Sequence, residues 1–89
     1  MPLVTSEKML KDARNGGYAV AAFNIENMEM TKAIVAGAEE LNAPVILQVS
    51  QSTSKYGSLE TYVAMVAVEA AKTKIPVALH LDHGESFEI

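Results

Sequence analysis

The chain has 89 residues, no cysteine and a formal net charge of -4, from 7 Lys and Arg against 11 Asp and Glu. A monomer of this size buries roughly 60–65% of its unfolded surface, enough for one small core and too little for two domains. No basic cluster is present to hold nucleic acid or an anionic membrane, no thiol is available for a disulfide framework or thiolate metal site, and no apolar run approaches the ~18 residues of a membrane span.

The N-terminal stretch Met1–Glu7 lacks a basic region leading into a signal-peptide core, so a cytoplasmic location is expected. A first helix is predicted over about Thr5–Asn15, capped by Thr5 or Ser6, with Met9, Leu10 and Ala13 on one face and Gly16-Gly17 as its stop. Tyr18–Phe23 reads as a strand buried on both faces, because no polar residue alternates through it. Asn27 is placed to cap a second helix running to about Leu41, with Met30, Ile34, Ala38 and Leu41 as its apolar stripe. Pro44 precedes a second strand, Val45–Ser50. Gln51–Gly57 is polar and reads as a loop. Ser58 then caps a third helix to about Thr73, with Tyr62, Val63, Val66 and Ala70 facing inward. Pro76 precedes a third strand, Val77–Asp82, which His83-Gly84 ends, and Glu85–Ile89 reads as the start of another helix.

Strands joined by crossover helices pair in parallel with right-handed connections. Either an open doubly wound sheet or part of a (β/α)8 barrel fits that order. The strand starts recur at roughly 25–30 residues, and eight such units give about 200–250 residues, the ordinary size of the barrel. Three strands alone leave parallel edges unpaired. The expectation is therefore a single partial domain over residues 1–89, with the chain breaking off inside a helix.

Reactive groups in parallel α/β folds gather at the C-terminal ends of strands. Those ends carry Asn24, then Gln48 and Ser50, then His80, Asp82 and His83. His80-Leu81-Asp82-His83-Gly84 is the sharpest feature, since imidazole is the commonest protein metal ligand and a neighbouring carboxylate can move a proton. Plainer readings stand beside these: His80 as a hydrogen-bonded packing residue, Asp82 as a helix cap, His83 as a solvated loop residue, Ser50 and Asn24 as turn formers. A catalytic zinc usually takes three protein ligands, and two His without Cys cannot supply them, so any zinc site borrows ligands from outside residues 1–89.

Ala21–Asn27, Ala43–Ser50 and Pro76–Gly84 closely resemble the N-terminal part of the class II ketose-bisphosphate aldolases, and the likeness runs the whole chain in register. The resemblance implies the N-terminal β-α-β-α-β portion of a (β/α)8 TIM barrel preceded by a short helix, homo-oligomeric when intact. It also implies a Zn2+ ion at the strand ends and a fructose- or tagatose-1,6-bisphosphate substrate. Asp82 matches the family's catalytic acid/base and His83 a zinc ligand. Ser50 matches a position contacting the triose-phosphate part of the substrate, Asn24 and Gln48 match substrate-orienting positions, and His80 falls in the supporting shell. The remaining ligands and phosphate loops of that family lie beyond Ile89, so the isolated chain is expected to show no turnover. Two readings compete: a barrel metallohydrolase with Asp82 and His83 both on the metal, and a non-catalytic phosphosugar-binding piece.

Overall fold

Gly17, at φ 73°, ends the first helix in the left-handed conformation, and its N–H returns to the Ala13 carbonyl. Only glycine reaches that backbone region without cost. The computed structural model describes residues 2–86. Helix α1 spans Ser6–Gly16 and buries Met9 and Ala13. Leu10, expected on the same face, is half exposed and lines an open cleft with Ser6, Ala22, Ile46 and Ala78. Thr5 occupies the N-cap position with extended backbone, but its side chain makes no capping hydrogen bond. Glu7 in the first turn is left to complement the helix dipole.

Strand β1 is Ala21–Asn24, shorter than expected, and all four of its residues are exposed instead of buried on both faces. The cause is coverage: β1 packs mainly on the central strand of the sheet, whereas the other edge strand, Val77–Asp82, is also covered by the helix that precedes it and by Val4, whose N–H donates to the Val77 carbonyl. Helix α2 (Met28–Glu40) begins where predicted, with the Asn27 side chain accepting the Met30 N–H at 2.8 Å. Its buried row is Thr31 and Val35, one residue round from the predicted stripe. Ile34 and Ala38 are half-buried, Met30 lies nearer the surface, and Leu41 is 80% exposed. Thr31 can turn inward because its hydroxyl donates to the Asn27 carbonyl at 3.0 Å, so no polar group is buried unpaired.

Strand β2 (Val45–Ser50) matches its predicted span. The following segment is a helix and not a loop: α3 covers Gln51–Gly57, capped by Ser50. The polarity that reads as loop is here the polarity of a capped, half-exposed turn of helix. Ser58 caps α4 (Leu59–Ala71), which buries Tyr62, Val66 and Ala70 and ends two residues before Thr73. Val63, expected inside, is 47% exposed. Strand β3 (Val77–Asp82) lies where the sequence predicts it. Residues 85 and 86 form a bend where a helix start was expected, and residues 87–89 lie outside the described residues.

Both ladders are parallel, with Val45 opposite Val77 and Ala21 opposite Val45. Val45, Leu47 and Val49 point to one face of the sheet and pack with Val35 of α2 and Tyr62, Val66 and Ala70 of α4. Both crossover helices thus cover the same face, as successive right-handed β-α-β units do in a barrel and in either half of a doubly wound sheet. The opposite face carries Ile46, Gln48 and Ser50, each half-buried. Strand alternation therefore splits the molecule into an apolar helix side and a polar side at the strand ends.

Candidate active site

Register assembles the site. Asn24, Gln48 and His80 are direct partners across the three strands. Directly paired residues of a parallel sheet point to the same face, so the three side chains stand in a row. Gln48 sits at the centre. Its amide nitrogen donates to Asn24 Oδ1 at 3.0 Å and to Asp82 Oδ2 at 3.5 Å, and its amide oxygen lies 3.2 Å from His80 Nδ1. Two residues beyond His80 on the same face, Asp82 closes the group, and its Oδ2 is also 3.5 Å from His83 Nε2.

His83 follows the last residue of β3 with φ 56°. Histidine is among the few residues enriched in that left-handed region, and the turn carries its imidazole out of the strand into solvent. Its side chain is 83% exposed, against 24% for Asp82. Five of the six residues singled out in the sequence therefore converge. Ser50 shares their face, opposite Asp82 in register, but its hydroxyl is engaged elsewhere. Ser50 Oγ accepts the Thr53 N–H at 3.2 Å and donates to Thr53 Oγ1 at 3.0 Å.

Three supporting residues, Gln51, Thr53 and Glu26, escaped the sequence reading, and Tyr62 is expected there only as an inward-facing residue of its helix. Gln51, buried, accepts the Glu85 N–H on Oε1 at 2.9 Å and so ties the exit of β3 to the start of α3. Tyr62 donates its phenol to the Glu26 carbonyl at 2.9 Å, holding the exit of β1. Burial pushes that phenol above its ordinary pKa, and the Glu26 charge adds to the rise. Thr53 Oγ1 in turn donates to Glu26 Oε1 at 3.5 Å. Glu26, Asn27, Ser52, Thr53 and Tyr56 line an open cleft of about 390 Å³ that none of the row residues lines. None of these contacts has a local sequence signal, because each joins residues on different elements.

A family profile described as fructose-bisphosphate aldolase class-II matches residues 4–89. The chain belongs to the class II fructose-bisphosphate aldolase family. It is 52% identical over 91 residues to a Bacillus subtilis (strain 168) protein named "Probable fructose-bisphosphate aldolase", covering 99% of this chain and 32% of that one. A Thermus caldophilus protein named fructose-bisphosphate aldolase is 49% identical over 86 residues, covering 97% and 28%. The crystal structure of the YdjI aldolase from Escherichia coli K12 superposes with a TM-score of 0.87 at 36% identity, covering 97% of this chain and 33% of that structure. The chain thus spans about a third of the length of the curated relatives it matches. Its fold is the β-α-β-α-β portion of the class II aldolase barrel.

The zinc ion implied by this family meets an incomplete set of donors. Among the described residues no three His, Cys, Asp or Glu side chains cluster in a way that holds a metal ion. His83, exposed at the strand exit, fits as one imidazole ligand. His80 has its Nδ1 turned to Gln48, and Asp82 is shared between Gln48 and His83. The Asn24 amide nitrogen and the Asp82 carboxylate otherwise offer a hydrogen-bond donor and a proton acceptor, the equipment for handling a polyhydroxylated substrate, while both N–H groups of Gln48 are engaged within the row.

Proposed function

We propose that the intact protein is a zinc-dependent class II aldolase that reversibly cleaves fructose 1,6-bisphosphate to dihydroxyacetone phosphate and glyceraldehyde 3-phosphate. The observation that carries this reading is the convergence of Asp82 and His83 at the end of β3, with Oδ2 and Nε2 3.5 Å apart, inside a chain of this family. The names of the relatives support fructose over tagatose bisphosphate as the substrate. The Asp82 carboxylate takes the proton of the C4 hydroxyl. The C4–O bond becomes the aldehyde carbonyl as the C3–C4 bond breaks, the bonding pair passes to the ketone half as an enediolate, and C3 of that half then takes a proton from an acid outside this chain to give dihydroxyacetone phosphate. In condensation Asp82 returns that proton. His83 is the residue of this chain that would hold zinc, which supplies Lewis-acid stabilisation of the developing negative charge. Asn24 orients substrate hydroxyls, and Ser50 contacts the triose-phosphate half once its hydroxyl turns from Thr53. The site residues named here include no Lys or Arg, so the phosphates are held by backbone N–H groups and by residues outside this chain.

We place the enzyme in the cytoplasm as a homo-oligomer; no helix among the described residues is long and apolar enough to cross a membrane. The decisive assay gives the intact protein fructose 1,6-bisphosphate, tagatose 1,6-bisphosphate, and phosphate-ester and amide substrates. Triose phosphate release, fastest from the fructose substrate, is expected. Ester or amide hydrolysis without carbon–carbon cleavage would overturn the reading.

A further inference from the structure

We propose that Gln48 positions the Asp82 carboxylate, and that His80 fixes the orientation of the Gln48 amide. The proposal rests on the reading of Asp82 as the proton acceptor. An ionised carboxylate can only accept hydrogen bonds, so the group of Gln48 that faces Asp82 must be its NH2. Rotating the amide by half a turn would set its oxygen against both Asp82 Oδ2 and Asn24 Oδ1. With the NH2 so directed, the amide oxygen points at His80 Nδ1, 3.2 Å away. That contact is attractive only if Nδ1 carries the imidazole proton, which assigns the tautomer.

The arrangement uses both N–H groups of Gln48 inside the protein, one on Asn24 and one on Asp82. No donor remains for a substrate, so Gln48 acts on the protein's own carboxylate. The parallel ladder holds the parts in place: His80 is the register partner of Gln48, and Asp82 lies two residues further along the same face of β3. Asp82 Oδ2 stands equally far, 3.5 Å, from Gln48 Nε2 and His83 Nε2. Without the Gln48 donor the carboxylate is drawn toward His83 alone and leaves the position from which it reaches a substrate hydroxyl. A displacement of about 1 Å at a reacting group is enough to cost on the order of 100-fold in rate.

The test uses four variants of the intact enzyme: Gln48→Met, similar in length without donors, Gln48→Glu, His80→Leu and His80→Asn. The Asn amide nitrogen is as many bonds from its Cα as Nδ1 of histidine, so His80→Asn keeps a donor toward Gln48. Gln48→Met should lower kcat on the order of 100-fold with KM and zinc content held. Gln48→Glu, which sets oxygen against Asp82, should be at least as damaging. His80→Leu should lower kcat about 10-fold, and His80→Asn should recover most of that loss. The Gln48→Met/His80→Leu double variant should be no slower than Gln48→Met, because the two act in series. Unchanged kcat in Gln48→Met, a raised KM with kcat kept, or equal damage from both His80 variants would overturn the proposal. If Gln48→Met does not fold, the His80 pair decides. Asp82→Ala is the control: cleavage that survives it refutes Asp82 as the acceptor, whereas its loss beside an unaffected Gln48→Met refutes the positioning role alone.

Discussion

Ser50 and Asp82 are the last register pair of the β2–β3 ladder, yet their side chains serve opposite purposes. Ser50 Oγ bends back to Thr53 and starts α3, while Asp82 Oδ2 faces Gln48 and His83. One residue of the pair builds the rim of the site and the other works inside it.

That double duty separates two variants of Ser50. Ser50→Ala removes the cap and should cost about 1 kcal/mol in urea unfolding of the intact protein, with a raised KM for the bisphosphate. Ser50→Asp keeps a good capping oxygen but adds a negative charge where a phosphate is expected. Its stability should stay near wild type while KM rises more than in Ser50→Ala. Equal KM values in the two variants would remove Ser50 from the phosphate contact.

Ser58 carries a different tension. It caps α4 through a bond from the Thr61 N–H at 3.2 Å, and does so at φ 80° and ψ 146°, a region that side chains avoid. Ser58→Ala loses the cap and keeps the strain, so it should destabilise by about 1 kcal/mol or more. Ser58→Gly loses the cap but relaxes the backbone, and should be more stable than the Ala variant by roughly 1 kcal/mol. Paired urea midpoints of the intact protein measure the difference, and an Ala variant at least as stable as the Gly variant would contradict the strain.

Most of this architecture is legible in the sequence because it rests on local signals. Asn27 and Ser58 stand just before stretches with apolar residues at helical spacing and cap helices, and the apolar β2 and β3 begin one residue after Pro44 and Pro76. What escaped depends on tertiary placement. β1 is as apolar as its neighbours, but no helix covers it as α4 covers β3, which its composition does not encode. The burial of Thr31 in place of Met30 depends on a hydroxyl finding the Asn27 carbonyl, and α3 depends on Ser50 ending a strand and capping a helix at once. The strand-end row was visible as a list of residues. The contacts that make Gln48 its hub were not, since they follow from register across three strands.

The crossover helices are joined by charge. Lys32 of α2 meets Glu69 of α4 at 3.0 Å, with the Lys side chain about half exposed and the Glu side chain 13% exposed. The hydrogen bond from Lys32 is the main reason the Glu69 carboxyl lies below its ordinary 4.5, and burial opposes it. A carboxyl with a lowered folded-state pKa adds stability at pH above its unfolded value and loses it as pH falls through the folded value. Glu69→Gln should therefore cost about 0.5–1 kcal/mol near neutral pH, a modest figure because solvent screens the exposed Lys. The gap between variant and wild type should close as pH falls below 4.5. Urea midpoints of both proteins across that range check it, and a gap independent of pH would assign the cost to packing.

Metal content and proton transfer should part at neighbouring residues. His83 leaves β3 with its imidazole in solvent, whereas Asp82 stays half-buried against Gln48. A catalytic zinc held by three protein ligands loses most of its affinity when one is removed. His83→Ala in the intact protein should therefore lose zinc on dialysis and lose cleavage with it, as should wild type treated with a chelator. Asp82→Ala should keep its zinc while kcat falls by about 100-fold or more, the usual worth of a positioned acid or base. Metal analysis of dialysed protein beside triose phosphate release reads both quantities. Loss of zinc from Asp82→Ala would instead make the carboxylate a ligand, the arrangement of a metallohydrolase, and would leave carbon–carbon cleavage without its base.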